Sequence, residues 1–358
     1  MNICIIVGAR PNFVKVAPLV WAIDKQPEAS YALVYAGCDD DPTLESTLFS
    51  DLQMPRPDFF LGVDSPRLNE ITAQVMGRFD DYLEHHPTDV VIVVDDLAST
   101  MAAAITAKKR GIRLAHLVAG TRSFDINMPK EINRLVIDAL SDLLFTAGVK
   151  SNSVATREQQ SETSQTYLVG NILMDTLRRN RDRLRQPAIE GLSALESQPY
   201  LVLTLNRKAL LNDKDALQRT IATVLQTGMP VIAPLRGLAS QVLAGIVPQH
   251  PMLHVVKPLS YLEFGWLTAH AAGIVTDSGN VAEEATFNGV PCLTLNTYTE
   301  HQETVTVGTN ELVGSDAERL AACLEKIKLG QWKTGALPDR WDGRTADRIV
   351  QILATTIQ

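Results

Sequence analysis

Five consecutive β-branched residues, Val90-Val91-Ile92-Val93-Val94, constrain this chain more than any other feature. A strand with one wet face alternates apolar and polar residues, whereas an unbroken apolar run of strand length belongs to a sheet covered on both faces. The flanking sequence supplies the covers. Short apolar runs at 3–7, 31–36 and 89–94 are separated by amphipathic stretches such as 14–25 and 99–110. This is a βαβ rhythm, and it predicts a doubly wound parallel sheet. Further strands are expected at 113–118, 143–147 and 166–169, with a helix over about 130–140.

The pattern loosens over 184–199 and the rhythm then restarts at Tyr200. Strands are expected at 200–205, 230–233, 254–256, 273–276 and 291–295, with helices at 213–226, 238–244, 261–270 and 280–287 between or after them. With 358 residues the chain holds two ordinary domains. The fold class expected is α/β, with two doubly wound Rossmann-like domains facing a cleft. The boundaries expected are 1–170 for the first domain and 171–344 for the second, with a last helix at 345–357 packing back on the first. Lysine and arginine number 33 against 41 aspartates and glutamates, a net charge of −8 that argues against a general nucleic-acid partner and leaves room for a local basic pocket for a phosphorylated small molecule. No apolar run approaches the roughly 18 residues of a membrane span. Cys4, Cys38, Cys292 and Cys323 show no metal or disulfide spacing, and the chain opens on a strand rather than a leader. A cytoplasmic protein without a metal or cofactor is expected.

Ligands of open α/β domains sit at the carboxyl ends of strands, so the strand-to-helix turns carry the functional reading. Gly8-Ala9-Arg10-Pro11-Asn12-Phe13-Val14-Lys15 follows the first strand and offers helix-start N–H groups with two cations, Arg10 and Lys15, to an anion. In the second half, Thr276-Asp277-Ser278-Gly279-Asn280 repeats the arrangement, with Ser278 as an N-cap or direct donor. Glu284 lies farther along that helix, where a carboxylate accepts two hydrogen bonds from vicinal ribose hydroxyls. Aspartate-rich turns, including Asp39, Asp95 and Asp96, are read as caps and turn residues, with no cage spacing for a metal. His116 is read as a satisfied core or interface group. His85-His86 is read as a helix end, and Phe264 with Trp266 as either core packing or a stacking surface.

These turns resemble those of the non-hydrolysing UDP-N-acetylglucosamine 2-epimerases, and the likeness covers essentially the whole chain. It rests on Gly8 to Lys15, Ala119-Gly120-Thr121-Arg122-Ser123, Pro129-Lys130-Glu131-Ile132-Asn133-Arg134, Val169-Gly170-Asn171, Thr276-Asp277-Ser278-Gly279 with Glu283-Glu284, and Thr299-Glu300 with Glu303. The resemblance implies a glycosyltransferase-B-like fold, a homodimer, and UDP or a UDP-N-acetylhexosamine in the cleft. It places Arg10 and the Ser278-Gly279 turn near the diphosphate, Glu284 at the ribose and Phe264 near the uracil. It also implies removal of the C2 proton, loss of UDP to leave a 2-acetamidoglucal, and re-addition of UDP with inversion at C2. A role in polysaccharide biosynthesis goes with it.

Several chemical positions depart from the family pattern. The usual Gln-His is Cys38-Asp39, Gly-Asp is Asp95-Asp96, and the Glu of His-Val-Glu-Ala-Gly is Val118. The Thr-(Gly or Leu)-His-Arg turn reads Thr204-Leu205-Asn206-Arg207, the second glycine of Ser-Gly-Gly is Asn280, and an Arg is His301. Removing a positioned acid–base group costs about 10²–10⁴ in rate. Asp96 and Glu131 are then the expected catalytic carboxylates, with Asp39, Asp95, Asn206, Arg207 and His301 as further candidates for the cleft. Three readings follow: an epimerase, a degenerate UDP-sugar-binding paralogue, and a different nucleotide-sugar enzyme.

Overall fold

The structure is a computed structural model that describes residues 1–159, 163–189, 198–247 and 249–357. Contacts divide the chain into two units, Met1–Arg179 with Asp339–Gln358, and Asn180–Pro338.

In the first unit, the strands β1 (Asn2–Val7), β2 (Ser30–Tyr35), β3 (Phe59–Phe60), β4 (Val90–Val94), β5 (Arg113–Ala119), β6 (Leu143–Thr146) and β7 (Gln165–Leu168) form one sheet in the order β3-β2-β1-β4-β5-β6-β7. Every pairing in it is parallel. Each residue of β4 has zero exposure, as its unbroken apolar run requires. The helix Ala98–Lys109 covers it with Ala102, Ala103, Ala104 and Ala107, small side chains that let Val75 and Phe79 of the helix Leu68–His85 join the same core. That second helix has no counterpart in the sequence reading, since its buried residues are only Val75, Phe79, Tyr82 and Leu83 out of 18.

The strands β8 (Leu201–Thr204), β9 (Val231–Pro234), β10 (Leu253–Val256), β11 (Gly273–Thr276), β12 (Cys292–Thr294) and β13 (Asn310–Leu312) build the second unit's sheet in the order β10-β9-β8-β11-β12-β13. Both orders reverse once. The reversal falls between β1 and β4 in the first sheet and between β8 and β11 in the second. The turns leaving these four strands carry the polar motifs.

Residues 171–179 and 339–344, expected in the second domain, belong to the first unit. Hydrogen bonds explain the shift. The Asp175 carboxylate accepts from the backbone of Thr345 and Ala346 at 3.2 and 2.9 Å, and the Thr176 hydroxyl donates to the Val14 carbonyl at 2.6 Å. The last helix, Thr345–Thr356, packs on the helix Arg10–Ile23. Of the loosened stretch 184–199, residues 190–197 lie outside the described residues. Among the described residues, no helix is long and apolar enough to cross a membrane.

Candidate functional site

At the first sheet's reversal, β1 hands over to the helix Arg10–Ile23 through Gly8 and Ala9. A Cβ on Gly8 would lie 2.1 Å from the Ser99 hydroxyl, so only glycine lets this turn reach the neighbouring helix start. The Asn12 carbonyl oxygen accepts from the backbone of Gly8 and Ala9 at 3.0 and 3.2 Å. Two N–H groups expected to meet an anion are therefore capped from within. Lys15 differs from its expected role as well: it is buried, and its ammonium donates to Asp95 at 2.6 Å. The Asn12 amide donates to the other Asp95 oxygen at 2.8 Å. Arg10 lies partly exposed, with Nε 3.3 Å from Glu45.

Asp95 occupies the left-handed region at φ 58, which aspartate tolerates better than most residues and where the family pattern has glycine. Its carboxylate is what neutralises Lys15. The next residue, Asp96, is buried between Lys130 at 3.0 Å and Arg134 at 2.5 Å. Burial pushes its carboxyl up, but Lys130 and Arg134 outweigh this and hold it below the usual carboxylate range. Glu131 accepts from the Ser123 backbone and hydroxyl at 2.9 Å, from the Phe124 backbone at 3.0 Å and from Arg134 at 3.0 Å. Burial raises it, and these donors bring it below its ordinary value. Both expected catalytic carboxylates are thus ionised at neutral pH, and Glu131 ties the Ser123–Phe124 backbone to its helix.

The helix carrying these groups, Pro129–Leu140, is inverted. It buries Glu131, Asn133 and Arg134 with Ile137 and leaves Ile132 and Leu135 exposed, as are Phe124 and Ile126 of the preceding loop. Asp138, seven residues after Glu131 on the same face, was missed in the sequence. It accepts from Arg122 at 2.6 Å and from the Gly120 backbone at 3.1 Å, and pairs with His116 Nδ1 at 2.6 Å. Burial raises its carboxyl, and His116 and Arg122 outweigh it, leaving it low. His116 Nε2 lies 3.0 Å from the Asp95 carbonyl, so the histidine is satisfied on both sides and fixes the Asp95–Asp96 turn.

Val118 sits between these groups at φ 73, where a β-branched side chain is a genuine outlier. The strand β5 shifts register there. Such strain costs about 1–3 kcal/mol and persists only where the surroundings impose it. The Val118 side chain offers no proton.

The second sheet's reversal is held differently. The Thr204 and Thr276 hydroxyls lie 2.6 Å apart, and Thr276 also accepts from the Ser278 backbone at 3.0 Å. One Asp277 oxygen accepts from the backbone of both Asn206 and Arg207 at 2.7 Å, clamping the turn after β8 to the turn after β11. Its other oxygen is buried without a partner. Arg207 donates to the Tyr298 hydroxyl at 3.1 Å. Ser278 stands at the N-cap of the helix Gly279–Asn288, but its side chain makes no capping bond. Glu284 is buried on that helix, and its neighbour Glu283 meets His301 Nε2 at 3.2 Å. Phe264 is half-buried against the core around Val202 and Ile274, which favours packing, and Trp266 stacks on His270 at 4.2 Å.

Asp39 points elsewhere, to Arg56 at 2.9 Å, with its side chain 74% exposed. His85 and His86 bond the Asp81 and Tyr82 carbonyls at the end of their helix. Among the described residues, no group of three or more His, Cys, Asp or Glu is arranged to hold a metal ion.

Two parallel α/β sheets in tandem, each gathering polar groups where its strand order reverses, define a doubly wound two-unit protein. A family model described as UDP-N-acetylglucosamine 2-epimerase matches residues 21–354. The chain belongs to that family. It is 30% identical to the UDP-N-acetylglucosamine 2-epimerase of Methanocaldococcus jannaschii over 99% of each chain. It is 31% identical, again over 99% of each, to the UDP-2,3-diacetamido-2,3-dideoxy-D-glucuronate 2-epimerase of Pseudomonas aeruginosa. The crystal structure of the M. jannaschii enzyme in complex with UDP-GlcNAc and UDP matches with a TM-score of 0.87, covering 99% of this chain and 100% of that one. The enzyme of Neisseria meningitidis, at 22% identity and a TM-score of 0.88 over 99% and 100% of the two chains, shares the fold.

Proposed function

We propose that this chain binds a UDP-N-acetylhexosamine, UDP-GlcNAc or its C2 epimer, and acts on it at C2 at a rate limited by position 118. Family membership along nearly the whole chain carries this reading. The second unit supplies the helix start at Ser278 and Gly279 for phosphate and Glu284 for the ribose. Phe264 contributes the part of its ring that the core leaves uncovered. In the first unit Arg10 meets an anionic group of the ligand, and Lys15 acts through Asp95 as a positioning residue. Asp96 and Glu131 are the catalytic carboxylates of this reading.

The expected reaction removes the C2 proton, expels UDP to leave a 2-acetamidoglucal, and adds UDP back with the opposite configuration. A carboxylate held low is a weak base, and Val118 exchanges no proton. Turnover therefore falls by about 10²–10⁴ for each missing positioned group. A second reading, a binder without turnover, is favoured by one observation: Glu131 already accepts four hydrogen bonds from its own unit. The exposed Phe124, Ile126, Ile132 and Leu135 support a homodimer, and four free cysteines support the cytoplasm.

Calorimetric titration with UDP and UDP-GlcNAc tests the binding. Saturable binding of both is expected, and heat without saturation for either removes the reading.

A further inference from the structure

The ladder between β8 and β11 ends at the pair Thr204 and Thr276, and the two turns begin there. Strand pairing, with the two threonine hydroxyls 2.6 Å apart, already fixes the register of these strands. Asp277 carries the tie one step further, into the turns. It is 1% exposed, and one of its carboxylate oxygens accepts from the Asn206 and Arg207 backbone N–H groups, each at 2.7 Å. Its backbone carbonyl accepts from the Asn296 amide at 3.3 Å, which brings in the turn after β12. Arg207 is thereby held at both ends. Asp277 fixes its backbone, and its guanidinium donates to the Tyr298 hydroxyl at 3.1 Å while lying 5.5 Å from the centre of that ring.

A buried carboxylate oxygen without a partner calls for an explanation, and Asp277 has one. A carboxylate bonds backbone N–H groups more strongly than a neutral acceptor does, so the bare oxygen accompanies a tight hold on two donors at once. What is held is the turn carrying Arg207, and it is held against the residue that precedes Ser278 and the helix start at Gly279. A site assembled before its ligand arrives loses less free energy to ordering on binding. We propose that Asp277 is a positioning residue for the nucleotide's diphosphate. By accepting from Asn206 and Arg207 it sets the turn after β8 against the helix start, so that the Arg207 guanidinium and the helix-start N–H groups form one anion site in advance. The inference rests on the reading of the second unit as the UDP-binding half, and every residue it uses lies in that unit.

Titration calorimetry of the full chain with UDP, beside the variants Asp277→Ala and Asp277→Asn, tests it. The unaltered chain binds UDP, and Asp277→Ala binds it at least about tenfold more weakly. Asp277→Asn keeps an acceptor oxygen for the two N–H groups and stays within about threefold of the unaltered chain. An aspartate that only held the fold would lower the unfolding midpoint of Asp277→Ala and leave the affinity of the folded protein unchanged. That outcome overturns the proposal, and so does a loss in Asp277→Asn equal to that in Asp277→Ala. A further check uses the unaltered chain alone: the Asn206 and Arg207 amides exchange slowly with D₂O before UDP is added. Fast exchange that only UDP slows overturns a site formed in advance. These failures leave the nucleotide reading intact, whereas no binding of UDP by the unaltered chain overturns both.

Discussion

At the first sheet's reversal, Asp95 is matched by Lys15, Asp96 by Lys130 and Arg134, and Asp138 by Arg122 and His116. At the second sheet's reversal the bonds run between Thr204 and Thr276 and from the Asn206 and Arg207 backbone to Asp277, and one Asp277 oxygen is left over. The same topology is thus stabilised by buried charge in one unit and mainly by neutral donors in the other. Buried ion pairs are costly to break and saturate their members, so the first unit's carboxylates are well placed and poorly basic. The second unit keeps a helix start without a side-chain cap. Departures from the family pattern follow this division. Asp95 adds a carboxylate that joins the lattice, while Asn206 contributes its backbone N–H to Asp277, a role indifferent to its side chain.

The largest break in this contrast is Arg134→Ala. It strips one of two cations from Asp96, leaving Lys130, together with the cation at Glu131, and removing one partner of a buried pair costs about 3–5 kcal/mol. Urea unfolding of the first unit reads it, and a loss below about 1 kcal/mol would mean that the lattice contributes little. Arg10→Ala should weaken UDP binding by about 1.5–3 kcal/mol while leaving the unfolding midpoint nearly unchanged. Titration calorimetry with UDP decides it, and unaltered affinity removes Arg10 from the anion site.

Asp175 sharpens the comparison, because burial, opposed by the Ala346 and Thr345 amides, pushes it up to about 6. Its folded value lies above its unfolded one, so the stability it contributes is fully present below about pH 4 and is lost as pH rises through 6. Between pH 4.5 and 7.5 the unaltered chain should lose about 1–3 kcal/mol more than Asp175→Asn. Parallel slopes for the two proteins across that window would contradict the assignment. The smallest effect belongs to the second unit: Thr276→Val removes the hydroxyl serving Thr204 and Ser278, worth about 0.5–1.5 kcal/mol. A cost as large as that of Arg134→Ala would erase the distinction between the units.

Much of the fold was legible because it depends on local pattern. The run at 90–94 announced a buried parallel strand, and the alternation around it announced the winding. The helix Leu68–His85 was not, since its apolar stripe is thin, and β3 has only two residues. That Arg10, Asp96 and Ser278 stand at strand-to-helix turns was legible from position. Their partners were not. Lys15 meets Asp95 across 80 positions and Asp138 meets His116 across 22, distances over which no periodicity speaks. Glu131 looked catalytic from its motif, whereas its backbone donors at Ser123 and Phe124 emerge only when the loop folds back.

The most direct measurement follows UDP-GlcNAc in D₂O by proton NMR with the purified chain, beside the double variant Val118→Glu with Asn206→His. Binding that broadens the ligand's lines, slow deuterium entry at C2, and a rise of at least roughly tenfold in the variant are the results expected. Absence of binding, or exchange at C2 that the two substitutions leave unchanged, would contradict a family member whose chemistry is limited at position 118.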